Sequence, residues 1–166
     1  PKWKLAAGLF LWALSSLPAA ASAAGGFYDM AATAARAADA KERVKLYTQA
    51  LKRWTPGDGL KNKAGAFLNR GAAHQVLEKY ALAIKDYDKA IALDPKNATP
   101  YYYRGRANFL IREGFSGCNS EDYFYAAAAD FDKAIELNPN YAEAYKARGS
   151  LTGLACGDPP LAPPIG

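Results

Sequence analysis

The chain has 166 residues, 51% of them hydrophobic and 22% charged, with a formal net charge of +5; that is the composition of one ordinary folded domain and excludes wholesale disorder. Lysines and arginines are dispersed among aspartates and glutamates along the chain and are not gathered into one basic stretch, which argues against a nucleic-acid reader. With one histidine, His74, and two cysteines, there is no histidine pair or zinc-spaced cysteine cluster, and no phosphate-binding glycine loop is present, so no cofactor is expected.

Residues 1–23 read as an export signal. Lys2 and Lys4 lead, Leu5 to Leu17 is apolar, Pro18 breaks the run, and Ala21-Ser22-Ala23 offers a small-residue site with cleavage after Ala23. An uncut membrane anchor is the alternative, since residues 5–24 as a helix would rise about 30 Å, one hydrocarbon thickness. Alanine content and Pro18 favour the signal; Pro1, as an N-terminus left by removal of an initiator methionine, would favour the anchor. Either way the rest of the chain is expected in the periplasm, free or held at the inner membrane.

Beyond the signal the chain repeats. Arg-Gly occurs at Arg70-Gly71, Arg104-Gly105 and Arg148-Gly149, at intervals of 34 and 44 residues, and the stretch Lys89 to Pro95 returns as Lys133 to Pro139. A period near 34 predicts a helical solenoid whose units bury their apolar faces only against one another. The first unit, 27–56, is weak: an alanine-rich helix, then Tyr47, Ala50 and Leu51, then an exit loop through Gly57-Asp58-Gly59. In the second, 64–97, Phe67, Gly71, His74, Ala83, Tyr87, Ala90 and Pro95 carry the spacing of a helix, a tight turn and a second helix closed by proline. Small residues let the paired helices approach, and His74 occupies a packing position.

The third unit, 98–140, opens with Tyr101 and Arg104-Gly105 and closes with Ala127, Phe131, Ala134 and Pro139. Its second-helix marks come ten residues late, so an insertion at 113–122, rich in glycine, asparagine and serine, reads as loop. Residues 141–155 form a half-unit and 157–166 a proline-rich tail, expected to be extended or disordered. Asp86 and Asp88, recurring as Asp130 and Asp132, lie two apart on predicted helices. Side chains at that spacing do not face each other, so a solvated, salt-bridged role with Lys85, Lys89 and Lys133 is expected.

This pattern of aromatic, glycine, small residue, aromatic, alanine and proline resembles the tetratricopeptide repeat. The resemblance covers roughly Asp29 to Leu154. It implies an all-α, right-handed superhelix of about three helix pairs with a C-terminal capping helix, spanning 24–156 and preceded by the signal or anchor helix. It also implies a concave groove lined by the first helix of each pair. Carried over by register, the groove residues are Gly65, Leu68, Asn69, Ala72 and Gln75, then Thr99, Tyr102, Tyr103, Arg106 and Phe109, then Glu143, Lys146 and Ser150. Tyr101 is expected in the core with Phe67 and Tyr145. Tyr102, Arg106 and Phe109 share a face and have hot-spot composition, or else pack against the next helix.

Some relatives clamp a chaperone's terminal carboxylate with lysine, asparagine and arginine. Asn69 fits that scheme, but Tyr28, Ala32, Thr99 and Tyr103 do not, so a clamp of that type is not expected. Because helix-helix turns stack along one edge of such arrays, Cys118 and Cys156 are candidates for a disulfide, the alternative being two free thiols. Arg70, Arg104 and Arg148 form a ladder of cations, or pack their stems across the helix pairs. The function these features imply is a non-catalytic interaction module of the bacterial cell envelope, holding a protein partner and serving as an accessory subunit of a membrane complex. The alternative is an enzyme or ligand-binding protein acting through 113–125.

Overall fold

A computed structural model describes residues 26–114 and 121–151. The export segment, Cys118, Cys156 and the proline-rich tail lie outside these residues. Among the described residues there are seven α-helices and no strand: α1 Phe27–Arg36, α2 Ala40–Arg53, α3 Leu60–Val76, α4 Tyr80–Leu93, α5 Ala98–Gly114, α6 Glu121–Leu137 and α7 Ala142–Leu151. Each helix packs on the ones before and after it, and α3 also meets α5. That is the nearest-neighbour order of a stacked array: three helix pairs followed by a single helix.

Local chemistry sets the boundaries. Asp39 caps α2, its carboxylate accepting from Glu42 N at 2.9 Å, and Asn97 Oδ1 accepts from Thr99 N at 3.0 Å where α5 begins. Pro95 and Pro139 stand two residues past the ends of α4 and α6. Between α2 and α3 a short 3₁₀ turn, Pro56–Asp58, is closed by Thr55 and Asp58 in a capping box, and Gly59 turns out of it with φ of 79°. Trp54 Nε1 donates to Gly59 O at 3.2 Å and the Tyr28 hydroxyl donates to Asp58 O at 3.0 Å, so the exit loop is fastened to the first pair.

The insertion is smaller as a loop than its composition suggests. Residues 113, 114, 121 and 122 are helical: α5 runs to Gly114 and α6 starts at Glu121, which narrows the loop reading of 113–122 to 115–120, outside the described residues. Helix α5 thus continues a full turn beyond the point equivalent to the end of α3. Asp122 stands in the first turn of α6, where the helix dipole favours negative charge.

The core is built on the second helices. Tyr47, Tyr87 and Phe131, in register on α2, α4 and α6, are buried among Ala34, Ala50, Ala83, Ala107, Ala127 and Ala128. The expectation that Phe67, Tyr101 and Tyr145 fill the core from the first helices is corrected: Phe67 and Tyr101 are half-buried and Tyr145 is 45% exposed. The rings of Phe67 and Tyr101 border the polar seam between units. Arg70 and Lys89 lie 5.4 and 5.3 Å from the Phe67 ring, and Arg104 lies 5.8 Å from that of Tyr101.

That seam corrects the reading of the aspartates. Asp86 and Asp130 are not solvated; they are 3% and 5% exposed. Their partners are the in-register arginines. Arg70 donates from Nε and Nη2 to the two oxygens of Asp86 at 2.8 and 2.6 Å, and from Nη1 to Thr48 Oγ1 of the preceding unit at 3.1 Å. Arg104 repeats this with Asp130 at 3.0 and 2.7 Å and with Asp88 of the preceding unit at 2.5 Å. Arg148 reaches back to Asp132 in the same way. Arg104 to Asp88 and Arg148 to Asp132 are both steps of 16 residues, so the periodic arginines join each unit to the one before, through Thr48 at the first junction and through an ion pair at the next two. Of the two roles open to the three arginines, the ladder is the one observed, and each of its cations is paired with an aspartate.

Candidate protein-binding groove

The first helices α5 and α7 flank α6 and leave a groove of about 420 Å³ lined by Tyr102, Arg106, Phe109, Phe131, Glu143, Lys146, Ala147 and Ser150. Residues 102, 106 and 109 follow one face of α5 at spacings of four and three, and residues 143, 146, 147 and 150 follow one face of α7. Phe131 is contributed from α6, between them. Its ring belongs to the core, packed with Phe124, Ala127, Ala128 and Leu151, so the groove has a fixed aromatic base.

The tyrosines make a contiguous surface. Tyr102 lies 5.0 Å from Tyr141, 5.3 Å from Tyr103 and 6.1 Å from Phe131, ring centre to ring centre, and Tyr103 stacks at 6.0 Å on the buried Tyr87. Burial, reinforced by the neighbouring Tyr103 and Tyr102, pushes the Tyr141 phenol up to about 12, with Thr99 opposing the rise. Burial also raises Tyr87, whose hydroxyl donates to Gln75 Oε1 at 2.8 Å. These two phenols are neutral across the physiological range and present hydrogen-bonding tips on apolar bodies.

Arg106 is exposed and lies over both Tyr102 and Tyr103, at 5.6 and 5.8 Å from the ring centres. Among the described residues it has no carboxylate within ion-pair distance, unlike Arg70, Arg104 and Arg148. A guanidinium beside aromatic rings, with no carboxylate to bind, has donors to offer another group. Lys146 and Glu143 add one charge of each sign at the α7 wall, so the groove carries a net positive charge.

Of the residues carried over by register, Tyr102, Arg106, Phe109, Glu143, Lys146 and Ser150 line this groove together. Tyr102 and Phe109 also pack against the α6/α7 cluster, so lining the groove and packing on the next helix coexist. Tyr103 adjoins the groove through its edge-on contact with Tyr102. Leu68 packs on Ala83, Tyr87 and Ala107; Gln75 holds Tyr87; Asn69 is exposed. These three α3 residues do not share the α5/α7 groove. Phe131, Tyr141 and Ala147 are additions that register does not supply. Phe131 matches Tyr87 in register and reads as core, and nothing in the sequence shows that its ring closes the base of an open groove.

His74 is half-buried with Nε2 3.9 Å from Asp86, and Nδ1 has no hydrogen-bond partner among the described residues. Burial is the main cause that lowers its pKa, with Asp86 opposing it. Its place beside the Arg70–Asp86 pair is a packing position. Among the described residues no three His, Cys, Asp or Glu side chains are grouped to hold a metal ion.

Comparison with known proteins agrees with this architecture. The tetratricopeptide-repeat family model matches residues 64–97. A serine/threonine-protein phosphatase T of Aspergillus oryzae (strain ATCC 42149 / RIB 40) is 38% identical over 68 residues, which is 41% of this chain and 13% of that protein. The chain therefore spans a small fraction of that relative's length. Among solved structures, the Arabidopsis OM64 TPR domain is similar with a TM-score of 0.61 and 27% identity, over 78% of this chain and 93% of that one. The first TPR of Spaghetti (RPAP3) bound to HSP90 peptide SRMEEVD is similar with a TM-score of 0.64 over 79% and 94% of the two chains. At 21% identity that likeness is one of fold. Residues 64–97 thus match the tetratricopeptide-repeat model, and the array of paired helices shares the fold of these TPR structures.

Proposed function

We propose that this chain is a non-catalytic protein-interaction module that holds a segment of a partner protein in the groove between α5 and α7. The observation that carries the proposal is the Tyr102–Tyr103–Arg106–Phe109 surface: aromatic, fixed by the core beneath it, and topped by an arginine without a carboxylate partner among the described residues. Tyrosine and arginine on a rigid base are the residue types that dominate binding energy at protein interfaces. Tetratricopeptide domains are interaction modules, and similar structures hold peptides. Thr99 and Tyr103 stand where a carboxylate clamp needs cations, and Tyr103 stacks on Tyr87, which favours a different ligand chemistry.

We place the module in the bacterial cell envelope, as an accessory subunit of a membrane complex, on the strength of Lys2, Lys4, the apolar run from Leu5 to Leu17 and the Ala21-Ser22-Ala23 site. Affinity purification from membranes, repeated with Tyr102→Ala plus Arg106→Ala, tests the reading. Loss of an aromatic and an arginine anchor is expected to cost at least about 2 kcal/mol of binding, some thirtyfold in affinity. A stable partner retained unchanged by the double variant would exclude the groove as the binding site.

A further inference from the structure

We propose that the α5/α7 groove selects its partner segment by the order of its charges: from the N-terminal end of α7 onward it takes a basic, an acidic and an apolar side chain on neighbouring residues. The proposal rests on the reading of this groove as the binding site and adds the chemistry of the partner.

The order follows from helix geometry. Consecutive helices that are joined by short connections and pack on each other run antiparallel, so α5 and α7, on either side of α6, run parallel. Their relative register is set at one end, where the Tyr102 ring lies 5.0 Å from that of Tyr141, the residue before α7 begins. From that level both walls climb at the helical rise. On α7, Glu143 stands about 3 Å along and Lys146 about 7.5 Å; on α5, Arg106 stands about 6 Å along and Phe109 about 10 Å. Side chains on both helices lean toward the N-terminus, which shifts the two walls alike. Glu143 therefore marks one end of the groove, Arg106 and Lys146 stand at the same height on opposite walls, and Phe109 lines the other end.

All three charges are available to a ligand. Glu143, Arg106 and Lys146 are exposed, and among the described residues none of them belongs to an ion pair. Spacing alone does not explain that. Glu42 with Lys45 and Lys133 with Glu136, also three residues apart on one helix, close at 3.4 and 2.7 Å, whereas Glu143 and Lys146 stay apart. A carboxylate placed between Arg106 and Lys146 meets two cations, and a cation next to it meets Glu143. Three consecutive residues of an extended segment cover about 7 Å, the same rise that separates Glu143 from Phe109. A wholly acidic segment would meet Glu143 and a wholly basic one would meet both cations, so the groove discriminates by order and not by net charge.

The test uses the 166-residue chain, labelled with nitrogen-15 and titrated by NMR with acetylated, amidated pentapeptides. Ala-Lys-Asp-Leu-Ala and its reverse Ala-Leu-Asp-Lys-Ala present the proposed order in the two chain directions. Ala-Asp-Lys-Leu-Ala and Ala-Leu-Lys-Asp-Ala exchange acid and base at equal net charge. The better peptide of the first pair is expected to bind about tenfold more tightly than the better of the second, since two attractive contacts become repulsive. Glu143→Lys combined with Lys146→Glu keeps the net charge, alters only exposed side chains, and should remove or invert the preference while the circular-dichroism melt still reports a folded array. Equal affinity for the two orders, a preference that the exchange leaves unchanged, or no binding of any of the four peptides overturns the proposal. If it is overturned while a captured partner still depends on Tyr102 and Arg106, the charge order falls and the groove stands. If the captured partner is indifferent to both residues, the groove reading falls with it.

Discussion

Replacing Arg104 with alanine is expected to destabilise the array by about 3–5 kcal/mol, the effect of leaving a buried carboxylate unpaired. Asp130 is 5% exposed and takes both of its close hydrogen bonds from Arg104. The same guanidinium binds Asp88 on the preceding second helix, so the substitution opens an intra-unit and an inter-unit contact together. The order of effects matters more than the single value. Asp88→Ala and Asp132→Ala remove carboxylates that are half exposed at the side chain, and each should cost about 1 kcal/mol or less. Replacing both members of the buried pair, Arg104→Met with Asp130→Leu, should recover much of the loss, because the buried carboxylate is then gone together with its partner. Urea denaturation midpoints of the four variants give this ranking; an Asp88→Ala loss as large as that of Arg104→Ala would show that burial of Asp130 is not what makes the seam matter.

Gly71→Ala and Gly105→Ala are expected to be destabilising by about 1–3 kcal/mol, as overpacking in a closed site, even though alanine favours a helix by about 1 kcal/mol. A Cβ at Gly71 would sit 2.7 Å from Tyr87 Cε1 and 3.2 Å from the Ala83 carbonyl oxygen; at Gly105 it would sit 2.8 Å from Phe131 Cε1 and 3.1 Å from the Ala127 carbonyl oxygen. Tyr87 is fully buried and fixed at its hydroxyl by Gln75, so the ring has little room to yield. Gly65, on the same helix as Gly71, has nothing within 4 Å of its Cβ position among the described residues. Gly65→Ala is therefore expected to stabilise by up to about 1 kcal/mol. Thermal melts of the three variants decide it. Opposite signs within one helix separate close packing from helix propensity, whereas a shared sign would mean that propensity alone governs these positions.

The Arg-Gly period makes the helix pairing readable, because at Gly71 and Gly105 a glycine facing an aromatic ring, and an arginine one residue earlier, are both demands of the contact between helices. Register also carries Tyr102, Arg106, Phe109 and Lys146 to a common groove, since a repeat fixes which face of each first helix points the same way. Three things stay hidden in the sequence for physical reasons. Asp86 and Asp130 look solvent-facing because acids on helices usually are, and only the distance to an arginine 16 or 26 residues away turns them into buried partners. Phe67 and Tyr101 resemble core residues by type, yet they border the polar seam, where cations lie over their rings, and Tyr145 is turned outward. The insertion is marked by its glycines, but Gly114 ends a helix and Glu121 begins one, so composition overstates the loop.

Site-specific photo-cross-linking in cells tests the binding claim most directly. A benzophenone amino acid in place of Phe109 lies on the groove wall, and the same group in place of Leu82, 44% exposed on the second helix α4, serves as its counterpart. Binding in the groove predicts a discrete protein adduct from position 109 that is absent from position 82 and lost when Tyr102→Ala and Arg106→Ala are added. Adducts from position 82 with none from 109 would contradict it and move the interaction surface to the second helices.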